Sequence, residues 1–233
     1  MAGVAIETLF LDAGGVLLHP NWHRVSGALA SCGVRVPAPV LAAAEPRAKR
    51  ELDSPERIRA TDDAGRGWLY FNLVLKHAGV TPSEATAAAL LELKAYHARE
   101  NLWEAVPDEV LPALEGFRRA GLRLVVVSNA NGRLGHVLER LGLSRHLHHA
   151  FDSHEVGVEK PDPRLFDAAL ERSGASRETT VHVGDLYHVD VVGARAAGLR
   201  AVLFDAADLY AGFDCPRVPT LTALAGLLSS GRL

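Results

Sequence analysis

Thr8-Leu9-Phe10-Leu11-Asp12-Ala13-Gly14-Gly15-Val16-Leu17 sets one carboxylate between an apolar run and a pair of glycines. The run before Asp12 suits a buried strand, expected over residues 4–12. Gly14 and Gly15 suit a turn. A buried strand that ends this way delivers its acid to the carboxyl edge of a sheet, where open α/β sheets bind their ligands. An aspartate so placed is a candidate nucleophile toward a phosphoryl or alkyl centre, through a covalent intermediate. Alone the run is weak evidence, because many strand–helix turns combine Asp with Gly. Its meaning depends on partners further along.

Outward from this strand the character changes. Residues 21–100 are rich in Ala, Leu and Arg and carry helical spacing, with helices expected over 40–52, 64–78 and 83–100. Thr81-Pro82-Ser83-Glu84 is a helix-start signal for the last of these. Beyond residue 100 strands and helices alternate. Helices are expected over 107–120, 132–141, 163–173, 189–197 and 220–229, and strands over 122–127, 150–153, 179–183 and 201–204. Gly121 is a stop signal for the first of these helices. Such alternation implies a parallel sheet covered on both faces. The expected fold is a doubly wound α/β core, residues 1–20 with 101–233, into which an all-helical domain, residues 21–100, is inserted.

The bulk numbers agree. At 233 residues with 48% apolar content the chain can bury a sizeable core. The formal net charge is -3 and no long basic run occurs, which argues against nucleic acid or a membrane surface as partner. No apolar run reaches membrane-spanning length. Met1-Ala2-Gly3-Val4 lacks the basic and apolar segments of a signal peptide, so a cytoplasmic protein is expected. Cys32 and Cys215 lie far apart and give neither a disulfide framework nor zinc-ligand spacing.

Three further segments carry chemistry. Leu124-Val125-Val126-Val127 ends in Ser128-Asn129, a hydroxyl and an amide at another strand end. A helix start near Asn131 would aim backbone N–H groups at the same crevice and favour an anion; the plainer reading of Ser-Asn is a helix cap. Lys160 precedes Pro161-Asp162-Pro163, in which Asp162 and Pro163 read as helix cap and first helical residue. A lysine held there can neutralise a phosphate, though most lysines are simply solvated. This one is among only four in the chain. Finally, Gly184-Asp185 follows the strand 179–183, and Asp190 stands about one helical turn on, so both acids can face one site. Mg²⁺ typically takes one or two carboxylates and fills its shell with water and phosphate. Either acid alone could merely cap a helix.

Taken in order, Asp12, Ser128, Lys160 and the Asp185/Asp190 pair resemble the four motifs of the haloacid dehalogenase superfamily of hydrolases, most of which are phosphatases. The resemblance covers essentially the whole chain. The fourth motif, with Gly193-Ala194 and Ala197-Gly198 after it, is the most specific, and the second the least. The inserted helices match that family's cap domain. The resemblance implies a Mg²⁺-dependent phosphomonoesterase acting on a small soluble phosphoester. Asp12 would be the nucleophile, forming an aspartyl-phosphate that water hydrolyses. Ser128, Asn129 and nearby backbone would bind phosphoryl oxygens, and Lys160 would offset charge on nucleophile and phosphoryl group. Asp12, the Gly14 carbonyl, Asp185 and, directly or through water, Asp190 would hold Mg²⁺.

One position departs from the pattern. Most phosphatases of the family carry a second aspartate two residues after the first, as general acid and base; here it is Gly14. Such help is typically worth about 10²- to 10⁴-fold. His19 and His188 could titrate near neutral pH, but neither is singled out as a replacement. Two alternatives stay open: a dehalogenase-like hydrolase, since those enzymes also lack the second aspartate, and a weakly active or inactive phosphoester binder. His146, His148, His149 and His154 crowd one segment that reads as a polar loop. Trp68, Tyr70 and Phe71 read as helical core, and Trp22, His23 and Arg24 are candidate substrate contacts. The leaving group and the oligomeric state are not legible.

Overall fold

The computed structural model describes residues 5–231. The expected first strand began at Val4, which lies outside the described residues, as does the Met1–Val4 segment. Among the described residues eight strands occur: β1 (Thr8–Leu11), β2 (His19–Pro20), β3 (Trp103–Ala105), β4 (Arg123–Ser128), β5 (His149–Asp152), β6 (Thr180–Gly184), β7 (Arg200–Phe204) and β8 (Arg217–Val218). Six form one sheet in the order β5-β4-β1-β6-β7-β8, every pairing parallel. β2 and β3 form a separate two-stranded sheet. The α/β fold with a parallel sheet is therefore as expected.

The helices are α1 (Trp22–Ser31), α2 (Ala38–Leu52), α3 (Pro55–Ala60), α4 (Asp63–His77), α5 (Glu84–Glu100), α6 (Val110–Arg119), α7 (Leu134–Arg140), α8 (Ser153–Val156), α9 (Pro163–Ser173), α10 (Val192–Ala196) and α11 (Leu221–Ser229). Their ends follow the caps in the sequence. Ser83 accepts from Thr86 N–H while the Thr86 hydroxyl accepts from Ser83 N–H, a reciprocal box that starts α5. Asp162 accepts from Arg164 N–H, Pro163 is the first residue of α9, and Gly174 closes it at φ 66°.

The chain forms two compact units. One runs to His19 and resumes at Val106; the other is Pro20–Ala105. Within the helical unit Trp22, Tyr70 and Phe71 are buried in its core and Trp68 packs against them. Trp22 meets Phe71 edge-on at 6.1 Å, which assigns that tryptophan to packing. His23 and Arg24 are exposed; Arg24 pairs with Glu104 at 2.9 Å and lies over the Tyr96 ring. In the sheet unit Phe10, Val125, Val127, Phe166, Ala194 and Leu203 share one core. No helix among the described residues is long and apolar enough to cross a membrane.

Two expected elements differ. The helix expected over 189–197 divides into a wide π-helical turn, Tyr187–Val191, followed by α10. Such turns are frequent at functional sites. The helix expected to start near Asn131 begins at Leu134, and its first N–H is taken by Asp152 Oδ2 at 3.2 Å. That N–H does not face an open crevice.

Candidate active site

β1 lies between β4 and β6, so the ends of three neighbouring strands supply the polar groups. Leu11 is level with Val126 on one side and Val183 on the other. Asp12 therefore follows at the height of Val127 and Gly184, with Ser128 and Asp185 one residue beyond. With strands about 4.8 Å apart, these groups fall within reach of one ligand.

The structure brings Asp12, Asp185 and Asp190 together, with one oxygen of each within 4.8 Å of the others. All three are buried. Lys160 Nζ stands 3.0 Å from Asp12 Oδ1 and 2.6 Å from Asp190 Oδ1. The ordinary expectation of a solvated lysine fails here, because Lys160 is 0% exposed. Its ammonium is tolerated in the interior because two carboxylates meet it. Its backbone is fixed by Asn129, which accepts from Lys160 N–H at 2.7 Å and donates through Nδ2 to the Lys160 carbonyl at 3.0 Å. Asn129 thus engages the lysine segment, a role its sequence position did not suggest. The Ser128 hydroxyl donates to the Asn129 carbonyl at 3.3 Å, and Ala13 N–H donates to Asp12 Oδ1 at 2.8 Å. Gly14 follows in the turn and bridges Leu18.

Two glycines make room for this cluster. A Cβ on Gly15, at φ 77°, would lie 1.9 Å from Asp185 Oδ2. A Cβ on Gly184 would lie 2.1 Å from Asp190 Cγ. No side chain fits at either position while the acids stay where they are.

The electrostatics follow from burial. With all three acids ionised, three carboxylates and one ammonium give the cluster two more negative charges than positive. Burial pushes Asp12 up to about 7; Lys160 opposes the shift, and Asp190 and Asp185 add to it. Burial alone would lower Lys160, but Asp12 and Asp190 outweigh it and hold the ammonium above its ordinary value. Asp190 is pushed up by burial too, yet Lys160 and His182 bring it below the usual carboxylate range. An all-oxygen, anionic, buried donor set fits a hard divalent cation.

His182, in the middle of β6, was not identified from the sequence. It is fully buried, and its Nε2 lies 3.0 Å from Asp190 Oδ1. Among the described residues the segment of His146, His148, His149 and His154 forms no such cluster. His148 Nδ1 accepts from Leu124 N–H at 3.1 Å, and His149 stacks on Phe151. His19 and His188 are half-buried; the His188 ring packs edge-on against Tyr187 at 5.1 Å.

The haloacid dehalogenase-like hydrolase family matches residues 6–198. This chain belongs to that family. The hydrolase is 34% identical over 165 residues to human haloacid dehalogenase-like hydrolase domain-containing protein 3, covering 69% of this chain and 65% of that one. It is 34% identical over 134 residues to the glyceraldehyde 3-phosphate phosphatase of Methanopyrus kandleri, covering 57% of each. With the phosphoserine phosphatase of Thermus thermophilus it shares 38% over 136 residues, 58% of this chain and 53% of that one. The chain thus spans between about two fifths and two thirds of the length of the curated relatives it matches. Among solved structures, YfnB of Bacillus subtilis matches with a TM-score of 0.70 at 18% identity, covering 97% of this chain and 99% of that one. The 2-haloacid dehalogenase of Pseudomonas syringae pv. Tomato DC3000 matches with a TM-score of 0.60 at 26% identity, with the same coverage.

Proposed function

We propose that this hydrolase is a Mg²⁺-dependent phosphomonoesterase acting on a small phosphorylated metabolite. The observation that carries the reading is the buried excess of carboxylate around Lys160. A 2-haloacid brings its own carboxylate, and in such a pocket it would meet two surplus negative charges. A divalent cation cancels that surplus and, by lying beside the phosphoryl oxygens, would make a phosphate dianion an acceptable guest. The curated phosphatases among the relatives support the same side.

In this reading Asp12 is the nucleophile. Its free carboxylate oxygen bonds to phosphorus while the bond to the leaving oxygen breaks, and the resulting aspartyl-phosphate is opened by water. Lys160 holds Asp12 in place and offsets charge on the transferring group, the kind of fixed electrostatic help on which phosphoryl transfer mostly depends. Ser128 and Asn129, at the end of β4, flank the phosphoryl oxygens. Asp12, the Gly14 carbonyl and Asp185 would hold Mg²⁺, with Asp190 in support; bound there, the ion neutralises phosphoryl charge and orients the group. Gly14 supplies no proton, so the leaving oxygen takes its own from solvent or from the substrate, and esters with good leaving groups are favoured.

The test is phosphate release over a panel of phosphorylated metabolites, with Mg²⁺ and with EDTA, for the native protein and Asp12→Asn. Mg²⁺-dependent release that the substitution lowers by about 10⁴-fold or more supports the reading. Metal-independent halide release from 2-haloacids would replace it with the dehalogenase alternative. Tight phosphoester binding without turnover would leave a binding protein.

A further inference from the structure

His182 occupies a position where an apolar side chain would serve packing equally well. It lies on β6 level with Phe10 and Ala201 on the adjoining strands, and the Phe166 ring meets it edge-on at 4.9 Å. Burying an imidazole there is unfavourable unless its N–H finds an acceptor. Asp190 Oδ1 is that acceptor, at 3.0 Å. Because a carboxylate can only accept, the proton of the bond sits on Nε2.

The same oxygen receives Lys160 Nζ at 2.6 Å, and the other oxygen receives Leu186 N–H at 3.0 Å. Three donors from three directions thus fix one carboxylate. Lys160 in turn reaches Asp12 Oδ1 at 3.0 Å. Asn129 holds only the backbone of Lys160, so its long side chain depends on Asp190 for its end point. We propose that His182 is a positioning residue: its Nε2–H orients Asp190, and through Asp190 it sets where the Lys160 ammonium stands against Asp12. The inference rests on the phosphatase reading for its catalytic consequence, though not for its geometry.

The test separates the hydrogen bond from the volume. His182→Phe keeps a flat ring and loses the donor. His182→Gln carries an amide N–H to about the position of Nε2 but fills the site poorly. His182→Asn carries the same amide one carbon short. Melting temperature, and kcat and KM for p-nitrophenyl phosphate with Mg²⁺, are measured for each. The expected kcat falls about tenfold or more in His182→Phe and His182→Asn, with KM changed less than about twofold, the usual size for an outer partner of a site. His182→Gln should hold kcat within about threefold of native even where its melting temperature is the lowest. Native kcat in His182→Phe, or equal kcat in the Gln and Asn variants, would overturn the proposal. Should His182→Phe not fold, the Gln and Asn pair decides. If the native protein releases no phosphate, the phosphatase reading falls by itself. A crystal structure of His182→Asn then decides the present one: Lys160 Nζ displaced from Asp12 supports it, and an unmoved Lys160 sinks it.

Discussion

Glu51 in the helical unit and Lys160 in the sheet unit are each a single charge among several of the other sign. Glu51 meets Lys76 at 2.9 Å, His77 at 2.8 Å and Arg57 at 3.1 Å. Lys160 meets Asp12 at 3.0 Å and Asp190 at 2.6 Å, with Asp185 close by. What differs is water. The Glu51 side chain is 26% exposed and that of Lys76 is 61% exposed, so solvent and salt screen the surplus positive charge. Lys160 is 0% exposed, and the surplus negative charge beside it has no such relief. Lys76, Arg57 and His77 together hold Glu51 down at about 2, against the opposing effect of burial. Burial holds Asp12 up at about 7. Like arrangements of charge therefore give a surface clamp in one place and a buried acidic cluster that could hold a cation in the other.

The sharpest way to break this contrast is to remove one buried acid. Asp185→Asn should lower Mg²⁺-dependent turnover by at least about 100-fold, since it deletes a proposed ligand of the ion. In EDTA the same variant should melt above the native protein, because one of three crowded carboxylates is gone. Added Mg²⁺ should raise the native melting temperature, by about 2.7 kcal/mol of stability at a hundred times Kd, and should barely move the variant. Phosphate-release assays check the first, and calorimetric scans with and without the ion check the other two; a variant that melts lower in EDTA would show that the acids do not repel one another.

Gly14→Asp adds a further carboxylate and sharpens the comparison from the other side. With Mg²⁺ present, turnover of esters with poor leaving groups should rise, by up to about 10²-fold, while good leaving groups change little. Steady-state kinetics over a series of leaving groups reads this directly. An unchanged rate in a folded variant would mean that another group already moves the proton.

The smallest effect belongs to the exposed clamp. Glu51→Gln should cost about 1 kcal/mol at pH 7, since exposed pairs are worth only about 0.2–1 kcal/mol each. The folded value of about 2 lies below the ordinary 4.5, so the contribution is complete above 4.5 and is lost as pH falls toward 2. Denaturant melts of native and variant protein should therefore converge as pH is lowered through that window. A gap that is undiminished at pH 3, or widens there, would refute the assignment.

Much of the site could be read from strand ends. Asp12, Ser128 and Asp185 each follow an apolar run, and a parallel sheet carries such residues to one edge. The α9 cap at Asp162-Pro163 was equally plain, because cap chemistry is local. β8 was not legible, since a two-residue strand has no periodicity to detect. The π-helical turn before α10 also escaped notice, because Val189–Asp190 and the residues after them are consistent with an ordinary helix. His182 within Thr-Val-His-Val-Gly reads as one more buried strand position, and nothing near it in the chain marks its bond to Asp190.

Sequence alone determined which residues are acids, which runs bury themselves as strands, and that Gly14 stands where a proton donor is common in this family. These follow from side-chain chemistry and from periods of a few residues. Only the tertiary structure decided that Lys160 is shut away from water, that Gly15 and Gly184 clear space for Asp185 and Asp190, and that His182 and Lys160 converge on a single oxygen. Burial and convergence are set by chain segments far apart in sequence, and the charge balance of the pocket exists only once those segments have packed.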